Sequence, residues 1–241
     1  MIIEYFKFLT KASNQHGVHS PFIYNLVTKC FYKKTAADLW NLFLISKQQL
    51  LDTRTILKVT FFNPISKIAR ISNKKARLLI RLIAYFNPKN ILEIGTSVGL
   101  GTAAIQIGNN NSSIITIESY PETGKIAEEL FEKNDFKNIH MVIGNLNETL
   151  PKVLNNQTFD FIYFNQQQTK KEILQCFNSC LDTINNEAIW VFNDIYNTTE
   201  IQAAWLEIKK HPKVTVTVDA FFLGIIFFRK EQAKEHFKIR V

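Results

Sequence analysis

The chain has 241 residues, of which 46% are hydrophobic, and a formal net charge of +8 at pH 7. This length fits one α/β domain, and the apolar content excludes an intrinsically disordered protein. The longest apolar run, residues 220–228 interrupted by Gly224, is far shorter than the roughly 20 residues of a membrane-spanning helix. Three cysteines argue for a reducing compartment, so we expect a cytoplasmic protein without a transmembrane segment.

The positive charge is concentrated in the first 90 residues. They hold 15 basic and 3 acidic residues, a charge of +12, which leaves 14 basic and 18 acidic residues, or −4, for the remainder. Anionic substrates, nucleic acid or a peripheral membrane contact would suit such a region, although a solvated helical face explains it at least as well. The aromatic residues here have helical core spacing rather than a nucleic-acid motif, so nucleic acid is the least favoured partner.

Residues 1–88 are predicted to form a basic helical cap at the N-terminus. Ser20-Pro21 is a helix start, with serine as N-cap and proline at the first helical position. Further amphipathic helices are predicted at about 38–57 and 66–86, and the second of these ends at Asn87-Pro88.

From residue 89 to residue 241 the pattern is that of an α/β domain. Strands are predicted near 91–94, 113–117, 139–143, 159–164 and 188–193, and helices near 100–108, 121–134, 146–155, 169–184 and 198–210. Alternation of this kind is typical of a parallel sheet. The segment KVTVTVDAFFLGIIFFR then predicts two adjacent strands with a short link at Asp219-Ala220, and therefore an antiparallel hairpin at a sheet edge.

The segment ILEIGTSVGLG, residues 91–101, is the main functional signal. A short apolar strand ends in Gly95, Gly99 and Gly101, and a helical pattern follows. An open α/β sheet cradles a nucleotide-like ligand in this way, at the carboxyl ends of its strands. The spacing differs from the G-x-G-x-x-G dinucleotide fingerprint. The next predicted strand ends at Glu118, 19 positions after Gly99 (118 − 99), where a carboxylate can accept hydrogen bonds from both ribose hydroxyls.

These motifs resemble class I S-adenosylmethionine-dependent methyltransferases, in the group that includes the catechol-type O-methyltransferases. The resemblance covers about residues 75–230 and rests on LEIGTSVG, TIESYPE, IGNLNETLP, FDFIYF and WVFNDI. The segments NQHGVHSPF and VTVTVDAFFLGIIFFRKEQ are similar to an uncharacterised bacterial branch of that superfamily. The resemblance implies a Rossmann-like, doubly wound, seven-stranded and mostly parallel sheet with one reversed strand. It also implies S-adenosylmethionine as the cofactor.

The resemblance assigns roles around the glycine turn. The turn would wrap the methionine part of the cofactor, Glu118 would hold the ribose, and two residues after the third strand would flank the adenine. The cofactor-binding set is Glu93, Gly95, Thr96, Ser97, Gly99, Glu118, Asn145 and Leu146. Structural interpretations stay open beside these roles, because Glu93 could form a helix-packing salt bridge and Asn145 could cap the following helix.

The acceptor end departs from the catechol-type pattern. Those enzymes hold magnesium with two carboxylates and an amide at the ends of the fourth and fifth strands, where this chain has Asn165, Asn193 and Asp194. One carboxylate with two amides makes a weak magnesium site. Gln168 stands where such enzymes place a catalytic lysine. We therefore predict no metal.

Two accounts of this end stay open. A metal-free enzyme would transfer the methyl group to an oxygen or nitrogen of a small acceptor, which could be anionic, mainly through proximity and alignment. Its catalytic residues would be Asn165 with Asp194 or His19 as the base, with His16 as another imidazole, although a role in the turn before Ser20 is favoured for both histidines. Alternatively, the chain is a catalytically silent cofactor-binding or interaction protein. A nicotinamide-dependent oxidoreductase is the least favoured class, and the oligomeric state is not indicated.

Overall fold

The computed structural model of the chain describes residues 2–52, 71–165 and 169–241. Two compact units divide the chain: the terminal unit, Met1–Lys33 with Leu150–Val241, and the central unit, Lys34–Thr149. This division does not follow the expected change from cap to α/β domain at residue 88, so that boundary stays a prediction.

Helices and strands alternate along most of the described chain. In order they are α1 (Ile2–Lys11), α2 (Pro21–Leu26), α3 (Ala37–Leu51), α4 (Asn73–Phe86), β1 (Asn90–Ile94), α5 (Leu100–Gly108), β2 (Ser113–Glu118), α6 (Pro121–Lys133), β3 (Ile139–Ile143), α7 (Leu146–Leu154), β4 (Phe161–Phe164), α8 (Lys170–Cys180), β5 (Ile189–Asn193), α9 (Thr199–Lys210), β6 (Val216–Asp219), β7 (Leu223–Phe227) and β8 (Glu235–Lys238). All the strands and helices predicted after residue 89 are found, within a few residues of their expected bounds.

The helix start at Ser20-Pro21 is confirmed. The Ser20 hydroxyl accepts a hydrogen bond from the Ile23 backbone N–H, and Pro21 opens α2. A π-helical turn, Val27–Phe31, extends this helix. The described helices before residue 88 agree with the prediction of a helical N-terminal region, although its role as a cap stays a prediction. The parts of the two predicted helices that fall within 53–70 lie outside the described residues.

In the central unit, three strands run parallel in the order β3-β2-β1. Glu93 of β1 lies beside Thr116 of β2, so the carboxyl ends of these strands meet at one edge. Helix α4 contacts α5 and buries an almost continuous apolar face, including Leu78, Leu79 and Ile83. This packing holds β1 and the turn that follows it in one place.

In the terminal unit, five strands follow the order β4-β5-β7-β6-β8. The predicted hairpin is confirmed, since β6 and β7 pair antiparallel, and β7 also pairs antiparallel with β5. Together with the parallel pairs, this confirms a Rossmann-like, mostly parallel α/β fold.

The expected number of seven strands is wrong, because the described residues form eight. The additional strand, β8, pairs parallel with β6, so the hairpin is not at the edge. Its sequence, EHFK, has one apolar residue in four, which is why no strand pattern was visible. Two backbone hydrogen bonds join the end of β8 to Ser13. They run from Ser13 N–H to Lys238 C=O (2.9 Å) and from Arg240 N–H to Ser13 C=O (3.1 Å).

Candidate functional site

The glycine turn after β1 has a backbone that glycine favours. Positive φ angles occur at Gly95 (99°), Ser97 (53°) and Gly99 (84°), a region that L side chains with a Cβ enter at a cost. A Cβ at Gly99 would stand 2.8 Å from Cε1 of Phe131 on α6. Gly99 therefore serves both the turn and the close approach of a helix, whereas the sequence pattern indicated the turn and access for a ligand.

Glu118 ends β2 directly beside this turn, as predicted. Its side chain is buried, and its two oxygens accept backbone N–H bonds from Ser97 (2.7 Å) and Tyr120 (3.0 Å). Burial raises the pKa of the Glu118 carboxyl, while the backbone hydrogen bonds act in the opposite direction. The carboxylate oxygens keep further lone pairs. Glu118 thus joins the strand end to the turn and can still accept hydrogen bonds from a diol.

Glu93 is fully buried on β1, and its partners are hydroxyl groups rather than a cation. Its Oε2 accepts hydrogen bonds from Thr102 Oγ1 (2.5 Å) and Thr116 Oγ1 (2.8 Å). The helix-packing salt bridge considered from the sequence is therefore wrong. Burial is the largest cause that raises the pKa of Glu93 to about 8, with a smaller contribution from the charge of Glu118 and opposition from the two threonines.

One atom of this carboxyl group has no hydrogen-bond partner among the described residues. Oε1 of Glu93 is buried and unpaired, which costs about 1–3 kcal/mol for a polar atom in an apolar environment. Because an unpaired ionised oxygen would cost far more, the geometry agrees with the raised pKa and indicates a neutral carboxyl at pH 7.

The sequence did not predict all three threonines whose hydroxyl groups form the hydrogen-bond network around Glu93. Thr96 and Thr116 share a hydroxyl–hydroxyl bond of 2.6 Å, and Thr116 also reaches Glu93. Thr96, which was assigned to the cofactor, is fully buried in this network. The pairing of Glu93 with Thr116 across two parallel strands was the available signal, because alignment of the two strand ends places these residues side by side.

Asn145 and Leu146 lie where β3 gives way to α7. The Asn145 side-chain oxygen accepts the Asn147 backbone N–H at 2.9 Å, so the helix-cap interpretation is confirmed. Asn145 is exposed, whereas Leu146 is buried. Contact of either residue with adenine stays a prediction.

In the terminal unit, the ends of β4 and β5 bring two amides together. Asn193 Nδ2 donates to Asn165 Oδ1 at 3.0 Å. Asp194 follows directly, with a φ of 51°, and its backbone N–H donates to the Phe222 carbonyl at 2.8 Å. The loop is thus held to the segment between β6 and β7. Gln168, the residue at the expected lysine position, lies outside the described residues.

The amide pair does not fit the magnesium set of catechol-type enzymes. Asn165 Oδ1 already accepts a hydrogen bond from Asn193, and Asp194 supplies the single carboxylate of this strand-end set. Within residues 2–52, 71–165 and 169–241, no three His, Cys, Asp or Glu side chains are grouped as metal ligands. Magnesium is usually held by carboxylates as well as water, so these residues do not fit this ion.

The two histidines near the N-terminus, His16 and His19, lie in the segment before α2, whereas Asp194 follows β5. His19 is exposed just before the Ser20 cap, and no hydrogen bond of its side chain to the described end of β5 is found. The His16 backbone N–H donates to Asn14 Oδ1 at 3.0 Å, which is a turn contact. These positions favour a structural role for the turn that carries them, and a catalytic role of His19 stays a prediction.

A polar cluster beside Asp194 was not predicted from the sequence. The buried carboxylate of Asp219 accepts the Tyr196 hydroxyl at 2.6 Å, and Lys238 Nζ lies 3.1 Å from that hydroxyl and 3.8 Å from Asp219 Oδ2. Burial and the neighbouring Asp219 raise the pKa of Tyr196, so it stays a hydrogen-bond donor. The cluster joins the loop after β5 to β6 and β8, and thereby fixes the loop that carries Asp194.

A cleft of about 570 Å³ in the central unit has none of the predicted cofactor-binding residues in its lining. Its lining includes Phe131, Asp135, Ile139 and His140, from the end of α6 to the start of β3. Because β3 runs parallel to β1 and β2, this cleft is at the opposite edge from the strand ends that carry Glu118. It is therefore not the predicted cofactor site.

The comparison with protein families decides the assignment. A family model described as O-methyltransferase matches residues 45–218, well over half of the chain. The chain belongs to this family. The expectation of a class I S-adenosylmethionine-dependent methyltransferase, with S-adenosylmethionine as its cofactor, is thereby confirmed. The nicotinamide-dependent alternative is left without support.

Solved structures with the same fold are distant in sequence. The SAH-bound methyltransferase PaMTH1 of Podospora anserina is 14% identical, with a TM-score of 0.63 over 88% of this chain and 97% of that chain. The O-methyltransferase of Bacillus cereus, in complex with SAH, is 18% identical, with a TM-score of 0.57 over 73% of this chain and 91% of that chain. A search of curated proteins finds no sequence match. These likenesses support the fold of the O-methyltransferase and leave its acceptor open.

Proposed function

We propose that this O-methyltransferase family member transfers a methyl group from S-adenosylmethionine to an oxygen or nitrogen of a small acceptor without a metal ion. The observation that carries the proposal is the difference between two sets of strand ends. Carboxyl groups of Glu93 and Glu118 surround the glycine turn, whereas the amides of Asn165 and Asn193 pair with each other. Proximity and alignment of the reactants supply most of the rate in such a transfer.

The cofactor supplies a methyl group on a positively charged sulfonium. Glu118 would accept hydrogen bonds from the two ribose hydroxyls, since its oxygens accept backbone N–H groups and keep lone pairs for a ligand. Gly95 and Gly99 would let the backbone follow the methionine part, and the unpaired Oε1 of Glu93 would lie close to its polar groups. The exposed Asn145 amide and Leu146 would flank the adenine.

On the acceptor side, Asp194 would take the proton from the acceptor hydroxyl or amine. Its loop is held by the Phe222 carbonyl and by the cluster of Tyr196 with Asp219, which keeps the carboxylate in one position. Asn165 and Asn193, at the ends of β4 and β5, would orient the acceptor through their amide groups. His19 is the second candidate base. The buried thiols of Cys30, Cys176 and Cys180 support the proposal of a reducing, cytoplasmic location.

No helix of the described residues has the length and apolar character needed to cross a bilayer. The acceptor is proposed to be a small molecule, and an anionic acceptor would suit the basic first 90 residues, which would attract it.

The test is a calorimetric titration with S-adenosylmethionine, S-adenosylhomocysteine and NADH, followed by a screen of small hydroxyl and amine acceptors with labelled methyl donor. We expect the first two ligands to bind and NADH not to bind. Methyl transfer should survive a strong chelator, and Asp194→Asn should lower kcat about 10²- to 10⁴-fold, the usual contribution of general base catalysis. Loss of activity on chelation that magnesium restores would refute the metal-free mechanism.

The alternative, a catalytically silent cofactor-binding protein, is favoured by the paired amides at the acceptor end. Tight binding of the cofactor with no transfer to any acceptor, in a protein that keeps Asp194, would favour it. Cofactor binding with methyl transfer indicates an enzyme, whereas cofactor binding without transfer indicates a protein that only binds the cofactor.

A further inference from the structure

Helix α1 packs against the rest of the terminal unit through one face. Phe8 is buried, and its ring lies 5.5 Å from the ring of Phe221 between centroids. Tyr5 meets the same ring edge-on at 4.8 Å. The Arg240 guanidinium donates to the Leu9 carbonyl at 2.8 Å, and Ser13 pairs with the chain beside β8. The helix is therefore held in a fixed orientation, and its outer face is part of the folded surface.

That outer face is apolar. Ile2 is 75% exposed, Ile3 is 70% exposed and Phe6 is 64% exposed. Ile2 and Phe6 are four residues apart and share one face of the helix, with Ile3 at its border. Scattered exposed apolar residues are ordinary on a protein surface, but here three large ones adjoin on a helix whose opposite face is anchored.

Cations surround this apolar face. Lys7 and Lys11 are exposed on α1, and Arg240 is exposed at its C-terminal end. Residues 1–33 contain four lysines and a single acidic residue. Of the basic residues in 229–241, Arg240 reaches α1, whereas Arg229 pairs with Glu187 and Glu231, and Lys238 lies beside Asp219. Glu4, the one acid of the first segment, pairs with Lys7 at 2.8 Å. The surface around the apolar side chains is therefore positive.

We propose that α1 docks this protein on anionic lipid membranes, with Ile2, Ile3 and Phe6 inserted between the headgroups and the cations against lipid phosphates. An interfacial helix binds through buried apolar area combined with electrostatic attraction to anionic lipids. A second copy of the chain is a poorer occupant, because three side chains fall far short of the roughly 800 Å² per partner of a specific protein interface. The docking is peripheral, and its residues are not among those proposed for methyl transfer.

The experiment is flotation of the full chain with vesicles of phosphatidylcholine alone or mixed with phosphatidylglycerol. We expect binding to the mixed vesicles, little binding to phosphatidylcholine, and a fall with added salt because the lipid charge is screened. The double substitution Ile3→Ser/Phe6→Ser should weaken binding about ten-fold or more, since the apolar insertion is lost. Lys7→Gln/Lys11→Gln should weaken it about five-fold for each cation removed.

The matched control is Leu206→Ser on α9, which removes a side chain that is 54% exposed and far along the chain from α1. It should leave vesicle binding unchanged, and all variants should keep the wild-type circular dichroism and thermal midpoint. Absence of binding to anionic vesicles, or equal binding of Ile3→Ser/Phe6→Ser, overturns the proposal. A concentration-dependent dimer that the same double substitution dissolves also overturns it and assigns the face to a second copy.

Discussion

The strand ends of the central unit carry carboxyl side chains, whereas those of the terminal unit carry a pair of amides. In the central unit, Glu93 and Glu118 are buried at the carboxyl ends of β1 and β2 and are held by threonine hydroxyls and backbone N–H groups. In the terminal unit, Asn165 and Asn193 follow β4 and close β5, and they pair with each other. One fold thus has ionisable groups at the proposed cofactor site and neutral amides where the catechol-type pattern has its metal ligands.

The physical consequence is that these two sets of strand ends are expected to respond differently to pH and to ions. A buried carboxyl changes its charge at a shifted pH, and its environment resists that change. An amide pair has no charge to change and gives a cation only weak ligands. Substitutions at these strand ends can therefore break or sharpen the comparison.

The largest effect is expected from Glu93→Gln. The native pKa of Glu93 is about 8 against 4.5 for the ordinary group, so between these values the native protein holds a proton that the unfolded chain has lost. Stability therefore falls as the pH rises through this window and levels off above it. The glutamine variant lacks this loss. Between pH 5 and pH 9 the wild type should therefore lose on the order of 4 kcal/mol relative to it, at about 1.4 kcal/mol per pKa unit.

Urea unfolding at several pH values from 5 to 9, in wild type and variant, measures this difference. Glu128→Gln removes an exposed carboxyl from α6 of the same unit and serves as the control, with no comparable change. Parallel pH profiles of wild type and Glu93→Gln would show that Glu93 is ionised in the native protein.

The next effect is expected from Gly99→Ala. Alanine at this position would have to adopt the left-handed backbone of Gly99. Its Cβ would stand 2.8 Å from Phe131 Cε1 and 3.1 Å from Ala127 Cβ. We expect a loss of about 3 kcal/mol of unfolding free energy, from backbone strain combined with overpacking. Ser97→Gly is the control, because its φ of 53° suits glycine and should leave the stability within about 1 kcal/mol of wild type. A Gly99→Ala variant as stable as wild type would mean that α6 yields to the added methyl group.

A smaller effect, on binding, is expected from Glu118→Ala. Loss of a charged hydrogen-bond partner of the ribose should weaken S-adenosylmethionine binding by about 1–3 kcal/mol, or about 5- to 150-fold. The variant also leaves the Ser97 and Tyr120 N–H groups without their acceptor, so its folding is measured beside the calorimetric titration. Glu122→Ala, at an exposed position four residues later, is the matched control. Unchanged affinity in folded Glu118→Ala would remove this residue from the site.

The sequence predicted the features that depend on local pattern. The apolar runs, the glycine turn and Glu118 at the strand end are close together in the chain, and the hairpin of β6 and β7 follows from two adjacent apolar segments. Such features are set by strand periodicity and by the backbone freedom of glycine. Because the family is defined by these same local motifs, their order along the chain was sufficient to indicate it.

The features that the sequence did not predict bring distant residues together. Tyr196, Asp219 and Lys238 are separated by about 20 residues at each step and meet only because β8 pairs with β6. The hydrogen bond between Thr116 and Glu93 depends on the register of two parallel strands, and β8 has too few apolar residues to display a strand pattern. Pair contacts of this kind follow from the tertiary fold rather than from residue spacing.

The smallest effect is expected from restoring carboxylates at the acceptor end with Asn165→Asp/Asn193→Asp. The substitution replaces the 3.0 Å amide hydrogen bond by two like charges, so the variant should be about 1 kcal/mol less stable than wild type without metal. Two added carboxylates beside Asp194 form a harder oxygen site for magnesium. At a magnesium concentration ten times the dissociation constant, binding would return about 1.4 kcal/mol of stability. Thermal unfolding with magnesium and with sodium at equal ionic strength checks this. If magnesium stabilises the wild-type protein to the same extent, its paired amides do bind the ion, and the contrast between the two units then concerns charge alone.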